Sequence, residues 1–410
     1  MTVLANKPAI FFTGERSNMS IEKRVSSIDI MRGILLALMA LGHTRHFFHA
    51  DAFLYEPTDL ARTYPILFFT RILTHVCAPT FVLLSGIAIR LNQERKSKKE
   101  LSIFLLKRGL WLLVLEFTVI RFSWMLNFYY DIVFFQVIWA IGISMIILAA
   151  LIHLPFRVIL FMAILIITGH DLLHIIQLAP GDPLLVPWSL IHQSTVVAAP
   201  SGTNFIMLYP FLPWLGILLL GYCLGRLYTP KFDSSRRRKL LFKVGLIAIL
   251  GFIVIRLMNV YGDPLPWSQQ KNELFTFMSF VNVTKYPPSL LYTLMTLGPV
   301  LMFLSWLEKS NWPILKRFQV FGSVSLFYYL LHFYLLRLSS TALYLITSGK
   351  NISELDFHFA TNPGGIPEGE GYSLAGTYLA WIVAICILYP ICSWYRRYKS
   401  THKQWWLSYL

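Results

Sequence analysis

The sequence has little charge, few acidic residues and few cysteines. Only 14% of its 410 residues are charged, whereas soluble domains carry about 25%. Asp and Glu number 20 against 36 Lys and Arg, which gives a formal net charge of +16. The four cysteines lie in or beside apolar runs, and their spacing is typical of neither a disulfide framework nor a zinc site. The scarcity of charge excludes a soluble enzyme and a disordered tail.

Apolar residues are abundant instead, at 56% of the chain with a mean hydropathy of +0.58. A helix needs about 20 apolar residues to cross a hydrocarbon core, and runs of that length recur along the sequence. Barrel strands would alternate apolar and polar residues, which these runs do not. Backbone exposed to lipid must bond within its own segment, so all the runs are predicted to be helices. We therefore predict an all-α, polytopic membrane protein with about ten transmembrane helices. The predicted spans are 29–50, 65–91, 101–122, 129–151, 154–170, 206–228, 239–262, 288–307, 319–345 and 373–395.

The basic residues fall in short clusters between the predicted spans. This distribution satisfies the positive-inside bias if both termini are cytoplasmic, and it argues against a nucleic-acid partner. The segment before Asp29 lacks the apolar core and cleavage site of a signal peptide. We expect a cytoplasmic segment at 1–28, a single transmembrane domain at 29–395 and a cytoplasmic tail at 396–410.

Ionisable and polar side chains occur inside several spans, where each costs a few kcal/mol and so tends to line an interior cavity. With the predicted topology, they fall in the outer half of the membrane and come from six spans. One polar chamber near the outer leaflet would account for all of them. They are His43, Arg71, His75, Glu116, Gln136, Arg256, His332 and Arg337.

The first span carries a cation and an imidazole on one face. Arg32 and His43 are eleven residues apart, which corresponds to three turns and about 16 Å along a helix. This arrangement suits an anionic donor taken from the cytosol, with Arg32 holding phosphate and His43 handling a proton. An interfacial ion pair between Asp29 and Arg32 is the structural alternative. His46 and His49 spread around the helix with His43 rather than converging, so no metal site is expected.

Structural roles also remain open for the other buried groups. His43 can serve as a simple interhelical hydrogen bond. Arg71 and His75, one turn apart, share a face and can brace Glu116. Long arginine side chains near the outer boundary, such as Arg256, can instead extend to the membrane interface.

Five stretches resemble the bacterial relatives of heparan-α-glucosaminide N-acetyltransferase, in a transmembrane acyltransferase superfamily that includes the acyltransferase-3 proteins. They occur in the expected order. They are residues 24–33 (RVSSIDIMRG), 41–49 (LGHTRHFFH), 213–225 (PWLGILLLGYCLG), 285–299 (KYPPSLLYTLMTLGP) and 321–332 (FGSVSLFYYLLH).

The resemblance implies an enzyme that takes an acyl group, typically acetyl, from acyl-CoA (acetyl-CoA) in the cytoplasm. The acceptor would be an extracytoplasmic saccharide or another hydroxyl or amine, and the catalytic histidine lies at the end of the first span. His43 and His49 both match that histidine, and helix geometry favours His43. Related sequences carry acidic residues where this chain has Gly42 and His46, so Glu116 is a candidate to orient the imidazole instead. The expected catalytic residues are His43, His49, His75 and Glu116. The expected donor-binding residues are Asp29, Arg32, Arg71, Lys285 and His332.

Two other functions remain open on the sequence. Buried His and Arg side chains can form the proton and substrate path of a secondary transporter for a small anion or sugar. The other is an inactive relative that serves as a scaffold, because Gly42 and His46 replace the acidic residues of related sequences. In each case we expect a protein integral to the lipid bilayer, in a bacterial inner (plasma) membrane, with a homodimer as an open alternative.

Overall fold

The computed structural model describes residues 26–358, 362, 366–367 and 369–408, so most of the predicted segment 1–28 lies outside the described residues. Fifteen α-helices and three short strands form the described chain. The helices are α1 Ser26–Phe48, α2 Pro65–His75, α3 Cys77–Gln93, α4 Lys98–Leu115, α5 Arg121–Met125, α6 Val137–Leu151, α7 Phe156–Gly169, α8 Leu185–Ile191, α9 Phe211–Leu224, α10 Ser234–Met258, α11 Glu273–Val281, α12 Leu290–Leu307, α13 Pro313–Ser323, α14 Ser325–Ser348 and α15 Leu374–Thr401. The strands are β1 Ile132–Phe135, β2 Thr195–Ala198 and β3 Asn204–Met207.

The polytopic helical fold predicted from the sequence is confirmed. Within the described part of the chain, eight helical segments are long and apolar enough to cross a membrane. Two further predicted spans correspond to α4, which is rich in charge, and to α6, which has only 15 residues. The count of ten and the cytoplasmic placement of the termini therefore remain predictions.

The prediction that every apolar run is entirely helical is wrong, because two spans include strand. Span 129–151 contains β1 near its start, and span 206–228 begins within β3. β1 pairs in parallel with β3, and β2 pairs antiparallel with β3, which gives a three-stranded sheet. The β-branched and aromatic residues of Ile132–Phe135 suit a strand as well as a helix, so their apolar character alone does not distinguish the two.

Proline interrupts the second predicted span, 65–91, and divides it into α2 and α3. Pro79 has no N–H with which to bond the carbonyl of His75, four residues earlier. That carbonyl instead accepts a hydrogen bond from the hydroxyl of Tyr292, at 2.7 Å. The break thus joins the α2–α3 connection to α12.

Helix α1 lies inside the bundle. In its most apolar 18-residue stretch 72% is buried, whereas the corresponding share in α15 is 17%. Glycines allow its close approach to α13. A Cβ atom added at Gly33 would lie 1.8 Å from the carbonyl oxygen of Phe318, and one at Gly322 would lie 1.8 Å from that of Asp29. Glycine is required at both positions, and α1 is thereby fixed in the centre of the fold.

Candidate active site

A cavity of about 610 Å³ runs beside α1. Arg32 and Asn92 line one end, at the start of α1 and the end of α3. His43, Arg71 and Lys285 line the other. We call these the Arg32 end and the His43 end. One continuous space therefore connects a cation near the beginning of α1 with an imidazole near its end.

His43 belongs to a directed chain of hydrogen bonds. His332 Nδ1 lies 3.1 Å from the carbonyl oxygen of Tyr328, and a carbonyl only accepts, so a neutral His332 carries its proton on Nδ1. Its Nε2 lies 2.8 Å from His43 Nδ1 and therefore accepts a hydrogen bond from it. The network leaves the lone pair of a neutral His43 on Nε2, which suits that atom to receive a proton.

His46 lies one turn after His43 and presents a hydrogen-bond donor rather than an acceptor. The guanidinium of Arg45 donates to His46 Nε2 at 2.9 Å, so the proton of a neutral His46 resides on Nδ1. This Nδ1 is buried and has no hydrogen-bond partner among the described residues, while His46 lines the cavity. A donor and an acceptor nitrogen thus lie one helical turn apart on the same helix.

Cations line the His43 end opposite these imidazoles. Arg71 is 3.7 Å from Glu56, and Lys285 extends over the ring of Tyr286 at 4.9 Å from its centroid. Burial lowers the pKa of Lys285 from its ordinary value. Burial would raise the pKa of Tyr286, but the charges of Lys285 and Arg71 outweigh it and lower that pKa to about 8.

The Arg32 end is basic as well. The guanidinium of Arg32 donates to Asp29 Oδ1 at 3.2 Å and to the carbonyl of Leu84 at 3.1 Å. Arg108 and Lys399 also line the cavity. Asp29 is thus a partner of Arg32, as an interfacial ion pair would be, and the arginine itself faces the cavity.

The remaining predicted site residues lie away from the cavity walls. His49 follows the end of α1, and its Nδ1 accepts a hydrogen bond from the backbone of Asp51. His75 is buried against Tyr292, with ring centroids 5.6 Å apart. Glu116 is buried in a π-helical turn and accepts a hydrogen bond from the backbone N–H of Trp139 at 3.1 Å.

The predicted polar chamber therefore forms from only part of the expected set. His43, Arg71 and Gln136 line the cavity. His332 lies behind the wall and is hydrogen-bonded to His43. Glu116 caps the beginning of α6 rather than being braced by Arg71. The alternative in which Arg256 extends to the interface is wrong, because its guanidinium is buried and donates to four backbone carbonyls. These belong to Leu265, Ser279, Phe280 and Asn282.

Sequence reasoning missed His46, Glu56 and Tyr286 as residues of the cavity wall. The sequence presents His46 as a departure from related sequences and as a weak candidate metal ligand, and neither interpretation predicts a catalytic role for it. Glu56 lies in a polar connection between predicted spans, where an acidic residue carries no special signal. Tyr286 follows Lys285 in the family-like stretch 285–299. Its place in that stretch is the sequence feature that could have indicated a role in the site.

Fold and cavity together define the class: a polytopic helical membrane protein with a cavity along its central helix that carries basic side chains at both ends. A family model described as heparan-alpha-glucosaminide N-acetyltransferase, catalytic, matches residues 24–261. Because the match covers more than half of the sequence, the chain belongs to this family of membrane acetyltransferases. The matched region includes Arg32, His43 and Arg71, whereas Lys285 and His332 follow it. No curated protein matches the chain significantly.

Proposed function

We propose that this protein transfers an acyl group, typically acetyl, from cytoplasmic acyl-CoA to an acceptor on the opposite side of the membrane. The observation that carries the proposal is the continuous cavity between Arg32 and His43. A donor with a charged nucleotide and a long neutral arm fits this distribution of residues. Cations lie at the Arg32 end, and an unprotonated imidazole nitrogen lies near the cations Arg71 and Lys285 at the His43 end. The basic clusters favour a cytoplasmic Arg32 end.

In this proposal the donor nucleotide binds at the Arg32 end. Arg32, Arg108 and Lys399 supply positive charge for its phosphates. The walls between the two ends include Leu36, Met39 and other apolar side chains, which suit a thioester-bearing arm. The thioester would then lie near His43.

His43 acts as the general base. Its Nε2 takes the proton from the acceptor amine or hydroxyl while the acceptor attacks the thioester carbonyl. The oxyanion that forms accepts a hydrogen bond from His46 Nδ1–H and faces the charges of Lys285 and Arg71. When the C–S bond breaks, His43 returns the proton to the departing thiolate, so the products are the acylated acceptor and free coenzyme A. A relay through acyl-His43 is the alternative route.

The acceptor would enter from the His43 end, and a saccharide amine or hydroxyl agrees with the glucosaminide in the name of the family. An extracytoplasmic saccharide implies a plasma membrane, and a bacterial inner membrane is the location that we propose. The acceptor approaches Lys285 and Glu56, which can bind its hydroxyl groups through charge-assisted hydrogen bonds.

The central test is transfer or slow hydrolysis of acetyl-CoA by the purified protein in detergent. Replacement of His43 by alanine should lower the rate by about 10²–10⁴-fold, because that range is typical for a general base. His153→Ala is a matched control, since this histidine is exposed at the end of α6. Thermal unfolding of each variant should remain close to that of the wild type.

His49→Ala separates the two histidines that match the family motif. We expect it to retain activity, because His49 does not line the main cavity. Full activity in His43→Ala with loss in His49→Ala would contradict the assignment. Absence of coenzyme A binding, together with proton-coupled uptake of a small anion in liposomes, would instead identify a transporter.

A further inference from the structure

Three histidines converge at the end of α7, away from the cavity of the candidate active site. His170 and His174 lie in the 3₁₀ helix His170–Ile175 that continues α7, and His192 follows α8. One ring nitrogen from each histidine lies within 4.8 Å of those of the other two. Two segments of the chain that are about 20 residues apart thus direct three potential ligands to one point.

One of the separations matches the first shell of a transition metal. His170 Nδ1 lies 3.4 Å from His192 Nε2. Zn–N bonds of about 2.0–2.1 Å in tetrahedral geometry place neighbouring ligand nitrogens about 3.4 Å apart. Zinc typically takes three or four such ligands, and imidazole is a ligand that it prefers. The other separations, which are at most 4.8 Å, must shorten toward this value for all three nitrogens to coordinate one ion.

A carboxylate adjoins the three imidazoles. Asp171 Oδ1 lies 3.4 Å from His174 Nε2 and 3.6 Å from His170 Nδ1. Its other oxygen, Oδ2, accepts the backbone N–H of Leu290 at 2.9 Å, which fixes the carboxylate at the beginning of α12. Oδ1 is consequently directed toward the histidines.

Two of these polar atoms have no hydrogen bond. Asp171 Oδ1 and His174 Nε2 are both buried without a hydrogen-bond partner among the described residues, and the Asp171 side chain is only 4% exposed. A buried polar group without a partner costs about 1–3 kcal/mol. A bound cation would satisfy both atoms at once.

We propose that His170, His174 and His192 bind one divalent transition-metal ion, of the Zn²⁺ class, with Asp171 as the adjoining carboxylate. The site lies outside the walls of the His43 cavity, so its role is structural. It ties the segment 176–191 to the end of α7, and Asp171 links it to the beginning of α12. Sequence reasoning considered a metal at His43, His46 and His49 and expected none, and it did not single out His170, His174 or His192.

The test measures metal in the full-length protein, purified in detergent through a tag without histidine. We expect about one Zn²⁺ per chain by inductively coupled plasma mass spectrometry. Removal of the metal with a chelator should lower the melting temperature, and added Zn²⁺ should restore it. Co²⁺ added to the stripped protein should give the visible absorption of a tetrahedral site.

Variants then locate the ion. His174→Ala and His192→Gln should lose it, and Asp171→Asn should bind it about 10–100-fold more weakly, as is typical when a supporting carboxylate is removed. His153→Ala is the control and should retain the wild-type stoichiometry. Wild-type protein that neither retains nor rebinds Zn²⁺ or Co²⁺ overturns the proposal, even if every variant fails to fold. Unchanged binding in His174→Ala and His192→Gln overturns it as well.

Discussion

Lys285 lies in the connection between α11 and α12. Together with Arg71 from α2 it lines the His43 end of the cavity. The segment is outside the helices that cross the membrane, yet the side chain is enclosed. Burial makes the charged ammonium less favourable than in water, so the pKa of Lys285 is below its ordinary value. If the ammonium stabilises the oxyanion, this shift sets the upper pH limit of activity.

The prediction at the residue scale concerns that limit. In the wild type, activity should fall with rising pH as Lys285 loses its proton, at a lower pH than an exposed lysine would give. Lys285→Arg should move this fall to higher pH, because a guanidinium keeps its proton. Lys285→Met should lower kcat/KM at every pH. The measurement is kcat/KM for acetyl-CoA as a function of pH.

Tyr286 provides the control for this experiment, because its pKa of about 8 also lies in the alkaline range. Tyr286→Phe should leave the decline in place if Lys285 causes it. A decline that disappears in Tyr286→Phe and stays unchanged in Lys285→Arg would assign the limit to the phenol.

At the scale of helices, the position of α3 depends on glycine. A Cβ atom at Gly221 of α9 would lie 2.1 Å from the carbonyl oxygen of Leu83, and one at Gly86 of α3 would lie 2.2 Å from that of Leu218. Two helices thus approach backbone to backbone, as is typical of small residues at membrane helix interfaces. This crossing holds one wall of the cavity, because Ala78, Ser85 and other residues of α3 line it.

Alanine at either glycine should therefore destabilise the protein. We expect Gly86→Ala and Gly221→Ala to cost about 1–3 kcal/mol each, since the obstructing atoms belong to backbone. Gly251→Ala in α10 is the matched control, because its nearest neighbour would be a side-chain atom of Leu294 at 3.8 Å. There alanine should stabilise by about 0.5–1 kcal/mol, through its better helix propensity. Thermal unfolding in detergent gives the sign, and equal behaviour at all three positions would contradict the close crossing.

At the scale of the whole molecule, the cavity is useful only if it conducts the donor from one end to the other. Ser85 lines it on α3, and Ser85→Trp should obstruct the passage. We expect kcat/KM for acetyl-CoA to fall by about 10²-fold, as misplacement of a reacting group commonly does. Ile247→Trp is the control, because that side chain is 68% exposed on the outside of α10. Wild-type rates in Ser85→Trp would show that the donor takes another route.

The candidate site was predictable where a single helix carried the information. Arg32 and His43 share a face of α1 through their spacing alone, and both line the cavity. The partner of His43 was not predictable, because His332 lies on α14, 289 residues away in the sequence. The same holds for His170 and His192, whose proximity depends on the turn between α7 and α8 that no periodicity reveals.

The sequence by itself determined that this is a helical membrane protein. The length and polarity of each apolar run are local properties, and backbone exposed to lipid must form its hydrogen bonds within the same run. Family membership likewise follows from residues 24–261. Only the tertiary structure decided which polar side chains face a common space, since helix packing sets the rotation and depth of each helix. It also decided that Pro79 divides the second predicted span and that residues 132–135 pair as a strand, because both outcomes depend on hydrogen-bond partners distant in sequence.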